Sequence, residues 1–420
     1  MPSPLRSVAL LLASISAAPA QQPFLSLGAV VTEALRSNPE ILAAQKRVEA
    51  ARQRPAQERS LPDPMFSLGY QSNGAPWPGA GLGREPTSNI GLAISQQFPY
   101  PGKARLRGQI AAKEAEAEFQ EYQTVRLNVI GRAKQAFYRL HHTYEATLVL
   151  ERNREVLQRL LRITEARYAA GRAPQQDIFN VQTQLSILEG RRMQVLRERR
   201  AREAELNSLL GRPAGVPLPP PEEPHLNPLT ITIEELFAQA REFSPMLRRE
   251  EKNIQRAELS LNLARKEFLP DYTLSGGYFN MGVMPDMYMF RADVNLPLRL
   301  FRRRAAVTEK SQSVLQLHRS YEAAGLSLQS RIREDFLMAG TAYDLTQLYR
   351  NTVIPQAGLA LESSLASYET GAVDFGAVLN NALMLLEYEM NYHEQMEEFH
   401  LAVTRLEEMS GAEVYHGGKP

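Results

Sequence analysis

The sequence predicts a mainly α-helical protein that also carries membrane β-strands, built as two tandem units with a long helical hairpin in each. The first sign is the stretch Lys103 to Tyr168, which contains only Gly108 and Gly131 as breakers and no proline. Good helix formers fill it, and at about 1.5 Å per residue it makes a rod of roughly 100 Å. It stops at Gly171, suited to a left-handed C-terminal cap, and a return helix starts near Asp177 and runs to Leu210. The second sign is that the same turn recurs at Ser367-Tyr368-Glu369-Thr370-Gly371, about two hundred residues on. The third is short segments of alternating polarity before each hairpin.

Composition narrows the function classes. The 420 residues carry a net charge of +1 and no cysteine, so disulfides, thiolate metal sites and cysteine catalysis are excluded. No basic cluster interleaved with aromatics marks a nucleic-acid surface. Arg6, the apolar run Val8 to Ala18 and Ala18-Pro19-Ala20 form a secretory signal, residues 1–20, with the mature chain starting at Gln21. No later stretch approaches the roughly 18 apolar residues of a membrane helix.

In order, Leu25 to Arg54 reads as a helix interrupted at Asn38-Pro39. Leu61-Pro62-Asp63-Pro64 breaks the chain before the alternating segment Met65 to Asn73, and a Gly/Pro-rich loop, Gly74 to Pro86, follows. Ser88 to Phe98 is a strand with Ile90, Leu92 and Ile94 on one face. After the hairpin, residues 212–228 are proline-rich and form an extended connector. The first half then recurs: Ser244-Pro245 matches Asn38-Pro39, Leu269-Pro270-Asp271 matches Leu61-Pro62-Asp63, and Leu296-Pro297 matches Phe98-Pro99. The expected division is therefore a first unit over 21–211, a linker over 212–228, a second unit over 229–411 and a tail over 412–420. Tyr272 to Phe279 and Tyr288 to Leu296 are the second unit's strands; in the latter Arg291, Asp293 and Asn295 oppose Tyr288, Phe290 and Val294.

Strands of about ten residues suit a tilted crossing of a bilayer. Four cannot close a barrel, and open edges do not survive in lipid. Several copies must share one barrel, and a trimer supplies about 12 strands with a wet lumen. A small soluble sheet packed on the helices is the alternative. The hairpin helices carry three-and-four stripes for side-by-side packing: Ile178, Val181, Leu185, Leu188 and Val195 in one return helix, Leu379, Leu383, Leu386 and Met390 in the other. Arg192, Arg199 and Arg202 occupy stripe positions in the first.

The signal segment, the duplicated strand-strand-hairpin order and Tyr-x-x-Gly at both turns resemble the TolC-type outer membrane efflux family over nearly the whole mature chain. Gln97-Phe98-Pro99-Tyr100-Pro101-Gly102-Lys103 and Ala173-Pro174-Gln175-Gln176-Asp177 resemble the branch serving heavy-metal resistance-nodulation-division pumps. The resemblance implies a homotrimer with a twelve-stranded outer-membrane β-barrel, a periplasmic α-helical barrel, and docking to a periplasmic adaptor and an inner-membrane pump. It implies adaptor-docking tips at Tyr168, Gly171, Arg172, Tyr368, Gly371 and Asp374, and a periplasmic mouth at Asp177, Ala377 and Asn380. The chain departs from relatives that carry an acylated N-terminal cysteine, and Ala377 and Asn380 stand where TolC itself has mouth aspartates.

Arg291, Asp293 and Asn295 are expected to face the barrel lumen. Met281, Met284, Met287 and Met289 could offer thioethers to monovalent copper or silver, or simply form an interfacial apolar cluster. The adjacent His141 and His142 read as solvated, and His393 as packed on an apolar stripe. Gly79, Gly81 and Gly83 precede a strand, not a helix, so they are no phosphate loop. No catalytic motif is present, and no cofactor is expected. The function expected is a passive exit duct for heavy-metal cations or small toxic compounds. The same fold serving protein secretion, or a pore-less periplasmic coiled-coil scaffold, are the alternatives.

Overall fold

The computed structural model describes residues 24–74 and 76–412. The expected signal peptide and all of the expected tail beyond Ala412 lie outside these residues. The chain opens with α1 (Leu27–Ser37), α2 (Pro39–Ala51) and α3 (Arg54–Arg59). Strands β1 (Met65–Gln71) and β2 (Asn89–Phe98) follow, then α4 (Lys103–Ala169) and α5 (Gln175–Leu209). The order recurs as α6 (Ile233–Phe243), α7 (Pro245–Lys266), β3 (Asp271–Asn280) and β4 (Met287–Asn295). The chain closes with α8 (Leu300–Leu348), α9 (Ile354–Thr370) and α10 (Phe375–Ser410).

Local chemistry sets the boundaries. Asn38 separates α1 from α2: its Oδ1 accepts the Glu40 N–H at 2.8 Å, and its Nδ2 donates to the Leu209 carbonyl at 2.9 Å. One buried side chain thus caps a helix and ties it to the end of α5. Thr232 and Glu235 form a reciprocal capping box on α6. A π-helical turn, Tyr349–Val353, joins α8 to α9 just before Pro355. Proline has no N–H to give the preceding turn, so the ladder is re-spaced there. The proline-rich connector is docked on the start of the chain: Leu25 donates to the Pro220 carbonyl at 2.8 Å and accepts from the Glu222 N–H at 3.0 Å.

Helix α4, 67 residues long, is the spine: α5, α7 and α10 pack along it, with α1 to α3 against its first half. Near the hairpin turns Leu157, Leu160, Val181, Leu365 and Val378 form one apolar core. The buried stripe of this part of α10 is Phe375, Val378, Ala382 and Leu386, so the expected stripe holds at Leu386 and is corrected at Leu379 and Leu383, which sit beside it, half-buried. A helix touched on two sides buries a wider arc than one three-and-four row, and α10 packs on α4, α8 and α9. The stripe arginines of α5 are accommodated at the seam. Arg199 lies over the Tyr144 ring at 4.9 Å, and Arg192 pairs with Glu189 at 2.9 Å.

The expectation that His141 and His142 are solvated is overturned. His141 is buried, and the Nδ1 of His142 lies 3.2 Å from Glu397 of α10. Two neighbours on one helix do point to different sides, but α10 and α5 cover both. His393 is packed near Glu145, and His400 stacks on Tyr138 with ring centres 4.4 Å apart. No helix among the described residues is long and apolar enough to cross a membrane.

Candidate functional site

The four strands form one antiparallel sheet in the order β1-β2-β3-β4. Register decides its faces. Residues paired across an antiparallel ladder share a face, so Phe66↔Ile94, Leu68↔Leu92, Leu92↔Tyr278, Gly276↔Phe290 and Tyr272↔Val294 line up on one side. The other side carries Ser67↔Ala93, Ser95↔Ser275, Ser275↔Arg291, Thr273↔Asp293 and Asp271↔Asn295. One face is therefore mostly aromatic and aliphatic, with Gln96 and Asn280 as exceptions, and the other mostly small or polar, with Phe279, Met287 and Met289 as exceptions. The apolar face is bare, with Phe290 88% exposed. Arg291 and Asp293 share the polar face, Nε to Oδ2 2.9 Å apart, with Asn295 next along it. The outer edges of β1 and β4 pair with nothing among the described residues.

Where sheet meets helices, the Lys103 side chain is fully buried. Its Nζ donates to the Leu269 carbonyl and to Asp271 Oδ1, each at 3.0 Å, and Asp271 Oδ1 also accepts the Tyr100 N–H at 2.7 Å. This lock joins two motifs that sequence reasoning had read separately, Pro101-Gly102-Lys103 and Leu269-Pro270-Asp271. A buried ammonium is tolerable because three oxygens surround it.

At the far end of the long helices both turns close in the same way. The Arg172 N–H bonds the Arg167 carbonyl and the Ala372 N–H the Ser367 carbonyl, each at 2.8 Å. Gly171 and Gly371 take φ of 71° and 90°, the left-handed cap conformation. The two tyrosines then diverge: Tyr368 is 2% exposed and Tyr168 45%. Tyr368 belongs to the apolar core with Leu365 and Phe375, and Arg167 covers its ring at 4.3 Å while the Arg167 Nη2 donates to the Arg172 carbonyl at 3.3 Å. The sequence reading missed Arg167; a cation one residue before Tyr168, with no counterpart at Ser367, was the available signal.

Asp374 caps α10, its Oδ1 accepting the Ala377 N–H at 2.9 Å. Asp177 stands in the first turn of α5, where burial pushes its carboxyl above the usual range; Arg167 opposes the rise and Asp374 adds to it. Asp177, Asp374 and Arg167 are thus one electrostatic group. Asn380 donates to the sulfur of Met384 at 3.3 Å. Met281 and Met284 lie in the loop between β3 and β4, and Met287 and Met289 on the polar-face row of β4. Among the described residues no group of three His, Asp or Glu is placed to hold a metal ion.

The sequence model of the outer membrane efflux protein family matches residues 30–212 and again 236–412. No curated protein sequence matches the chain. Several solved structures share its fold. The outer-membrane channel OprN is 17% identical with a TM-score of 0.78, over 92% of this chain and 90% of its own. VceC from Vibrio cholerae is 18% identical with a TM-score of 0.76, over 93% and 97%. CusC, described for its transmembrane channel formation, is 15% identical with a TM-score of 0.77, over 98% and 99%. Two family matches, one per hairpin and together spanning most of the chain, show that this protein belongs to the outer membrane efflux protein family.

Proposed function

We propose that three copies of this chain share one twelve-stranded barrel and one helical tunnel. The assembly serves as the outer-membrane exit duct of a tripartite efflux system. The observation that carries the assembly is the four-stranded sheet, bare and apolar on one face, with two open edges. Each unpaired backbone group in lipid costs several kcal/mol, which a closed barrel avoids. Exposed Phe179, Ile187 and Met193 on α5, and Leu337, Leu348 and Leu359 on α8 and α9, offer lateral contacts for neighbouring copies. Arg291, Asp293 and Asn295 line the lumen in this reading. A duct of this kind has no chemistry of its own and takes its energy from its partners.

The tips Tyr168, Gly171, Arg172, Tyr368, Gly371 and Asp374 are read as the docking surface for a periplasmic adaptor, which connects to an inner-membrane pump. Asp177, Ala377 and Asn380 are read as the mouth. Heavy-metal cations are the proposed cargo, supported by Gln97 to Lys103 and Ala173 to Asp177. A deletion strain tested against metals, dyes and antibiotics checks the cargo: selective metal sensitivity is expected. Unchanged tolerance with loss of a secreted protein would replace efflux by secretion. Gly371→Pro checks the tips. Proline cannot adopt φ of 90° or donate the N–H that Gly371 gives to Ser367 at 3.1 Å. Normal trimers, no efflux and weakened crosslinking to the adaptor are expected.

A further inference from the structure

The ends of β2 and β4 meet the start of β3 together: Phe98 and Val294 both pair with Tyr272. Helices α4 and α8 therefore leave the sheet from the same end. That end is basic. Four arginines, Arg299, Arg302, Arg303 and Arg304, lie within six residues, and no acidic residue occurs between Asp293 and Glu309. Arg303 is engaged, its Nε donating to the Glu267 carbonyl at 2.7 Å. Arg299, Arg302 and Arg304 are exposed and have no hydrogen bond or ion pair among the described residues, and neither does the exposed Arg105 at the start of α4. The exposed Arg319 pairs with Glu322 of its own helix at 2.8 Å, and the exposed Arg191, Arg197 and Arg200 of α5, though without a partner among the described residues, have Glu189, Glu198 and Glu203 within one turn. Here no carboxylate is within one helical turn of sequence. Apolar side chains stand before and between the cations: Leu298 is 81% and Phe301 88% exposed. They follow directly on Tyr288, Phe290 and Val294, the bare apolar face of the sheet.

We propose that Arg299, Arg302 and Arg304, with Leu298 and Phe301, form a binding collar for anionic phospholipid in the periplasmic leaflet. The inference rests on the barrel facing given above. A guanidinium forks onto a phosphate through paired N–H donors, and the phosphate supplies the counter-charge that the protein omits. Leu298 and Phe301 enter the boundary between headgroups and acyl chains, as the apolar side of an interfacial segment does. A second copy of the chain at this surface would have to bring carboxylates to the arginines. A lipid meets both requirements at once, apolar next to the sheet and anionic below it. The collar also sets the depth of the barrel, since cations prefer the headgroup level to the hydrocarbon.

The test is native mass spectrometry of the detergent-purified assembly, titrated with phosphatidylglycerol and with phosphatidylethanolamine. The native protein is expected to prefer phosphatidylglycerol by about tenfold, with the preference shrinking as salt rises. Arg299→Gln/Arg302→Gln/Arg304→Gln is expected to abolish the preference. The same charge loss on exposed α5 positions, Arg191→Gln/Arg197→Gln/Arg200→Gln, should keep it. No preference in the native protein, or one that survives the α8 triple change, overturns the collar. A triple variant that loses its oligomeric state while lipid preference stays would assign the arginines to contacts between copies and likewise overturn it. The native salt titration decides the matter even if the triple variant does not fold. Failure of the barrel facing itself is read separately, from outer-membrane insertion of Phe290→Arg.

Discussion

Arg167 of the first hairpin holds its guanidinium 4.3 Å above the ring of Tyr368 of the second. This contact stitches the two tips of one chain together and distinguishes residues that the repeat makes look equivalent. Tyr368 has become part of the core with Phe375 and Val378, while Tyr168 remains at the surface.

The two tyrosines should therefore respond differently to truncation. Tyr368→Ala removes a buried aromatic and the platform under Arg167, at a cost of about 3–5 kcal/mol local to the tip. Protease nicking between residues 160 and 180, or fast amide exchange there, reports it. Tyr168→Ala should cost under about 1 kcal/mol in stability and instead weaken adaptor crosslinking. Equal loss of tip order in both variants would contradict the division of roles.

The sheet register makes adjacent residues non-equivalent. Phe290 pairs with Gly276 on the apolar face, and Met289 pairs with Gly277 on the other face, both midway along β4. A charge on the lipid side near mid-membrane costs about 2–4 kcal/mol, and a trimer incurs it three times over. Phe290→Arg should block insertion into the outer membrane, while Met289→Arg should insert normally. Fractionation of both variants tests the facing.

Substrate choice should not depend on the methionines. Met281 and Met284 sit in the β3–β4 loop, and Met287 and Met289 in a strand row. Replacing all four with leucine preserves apolar character and removes the thioethers. Copper and silver tolerance at equal expression should be unchanged; a selective loss would make the thioethers ligands.

The helical core should weaken in acid. Burial pushes His141 down to about 4, and His393 and His400 to about 3, from an ordinary 6.5. The neighbouring cations and histidines around His393, namely His142, His141 and Arg152, add to its shift. Between pH 6.5 and 4 the unfolded chain binds protons that the native state refuses, so stability falls as pH drops through that window. Glu397, pushed up to about 7 mainly by burial, works in the opposite sense and loses stability as pH rises from 4.5 towards 7. Burial also raises Glu145 and Glu389, in the sense of Glu397, and lowers His142, in the sense of the other histidines. The large histidine shifts dominate, so the melting temperature should fall from pH 6.5 to 5. Each histidine contributes at most about 1.4 kcal/mol per pH unit. His393→Gln should flatten the acid slope, and an unchanged slope would remove the histidines as its cause.

Helix lengths, both glycine turns, the strands and the duplication were all legible in the residues. Each is a local property: the absence of breakers over Lys103 to Tyr168, a glycine where the chain must turn left-handed, a period of two in Ser88 to Phe98. The alternation in β4 also marked Arg291, Asp293 and Asn295 as one row, because side chains in a strand must alternate. Tertiary structure decided the rest, because each remaining answer depends on which surface covers a residue. His141 and His142 look solvated from their own helix alone, but packing buries His141 and half-buries His142 against Glu397 of α10. In α10 Val378 and Ala382 are buried in place of Leu379 and Leu383 because several helices, α4, α8 and α9 foremost, contact it. Lys103 found Asp271, and Arg167 found Tyr368, across separations of 168 residues or more, which no local pattern encodes. The sequence by itself determined the parts and their order, since propensity and period act over a few residues. Only packing decided which charges are hidden and which two tyrosines differ, since burial is a property of the neighbours a residue acquires.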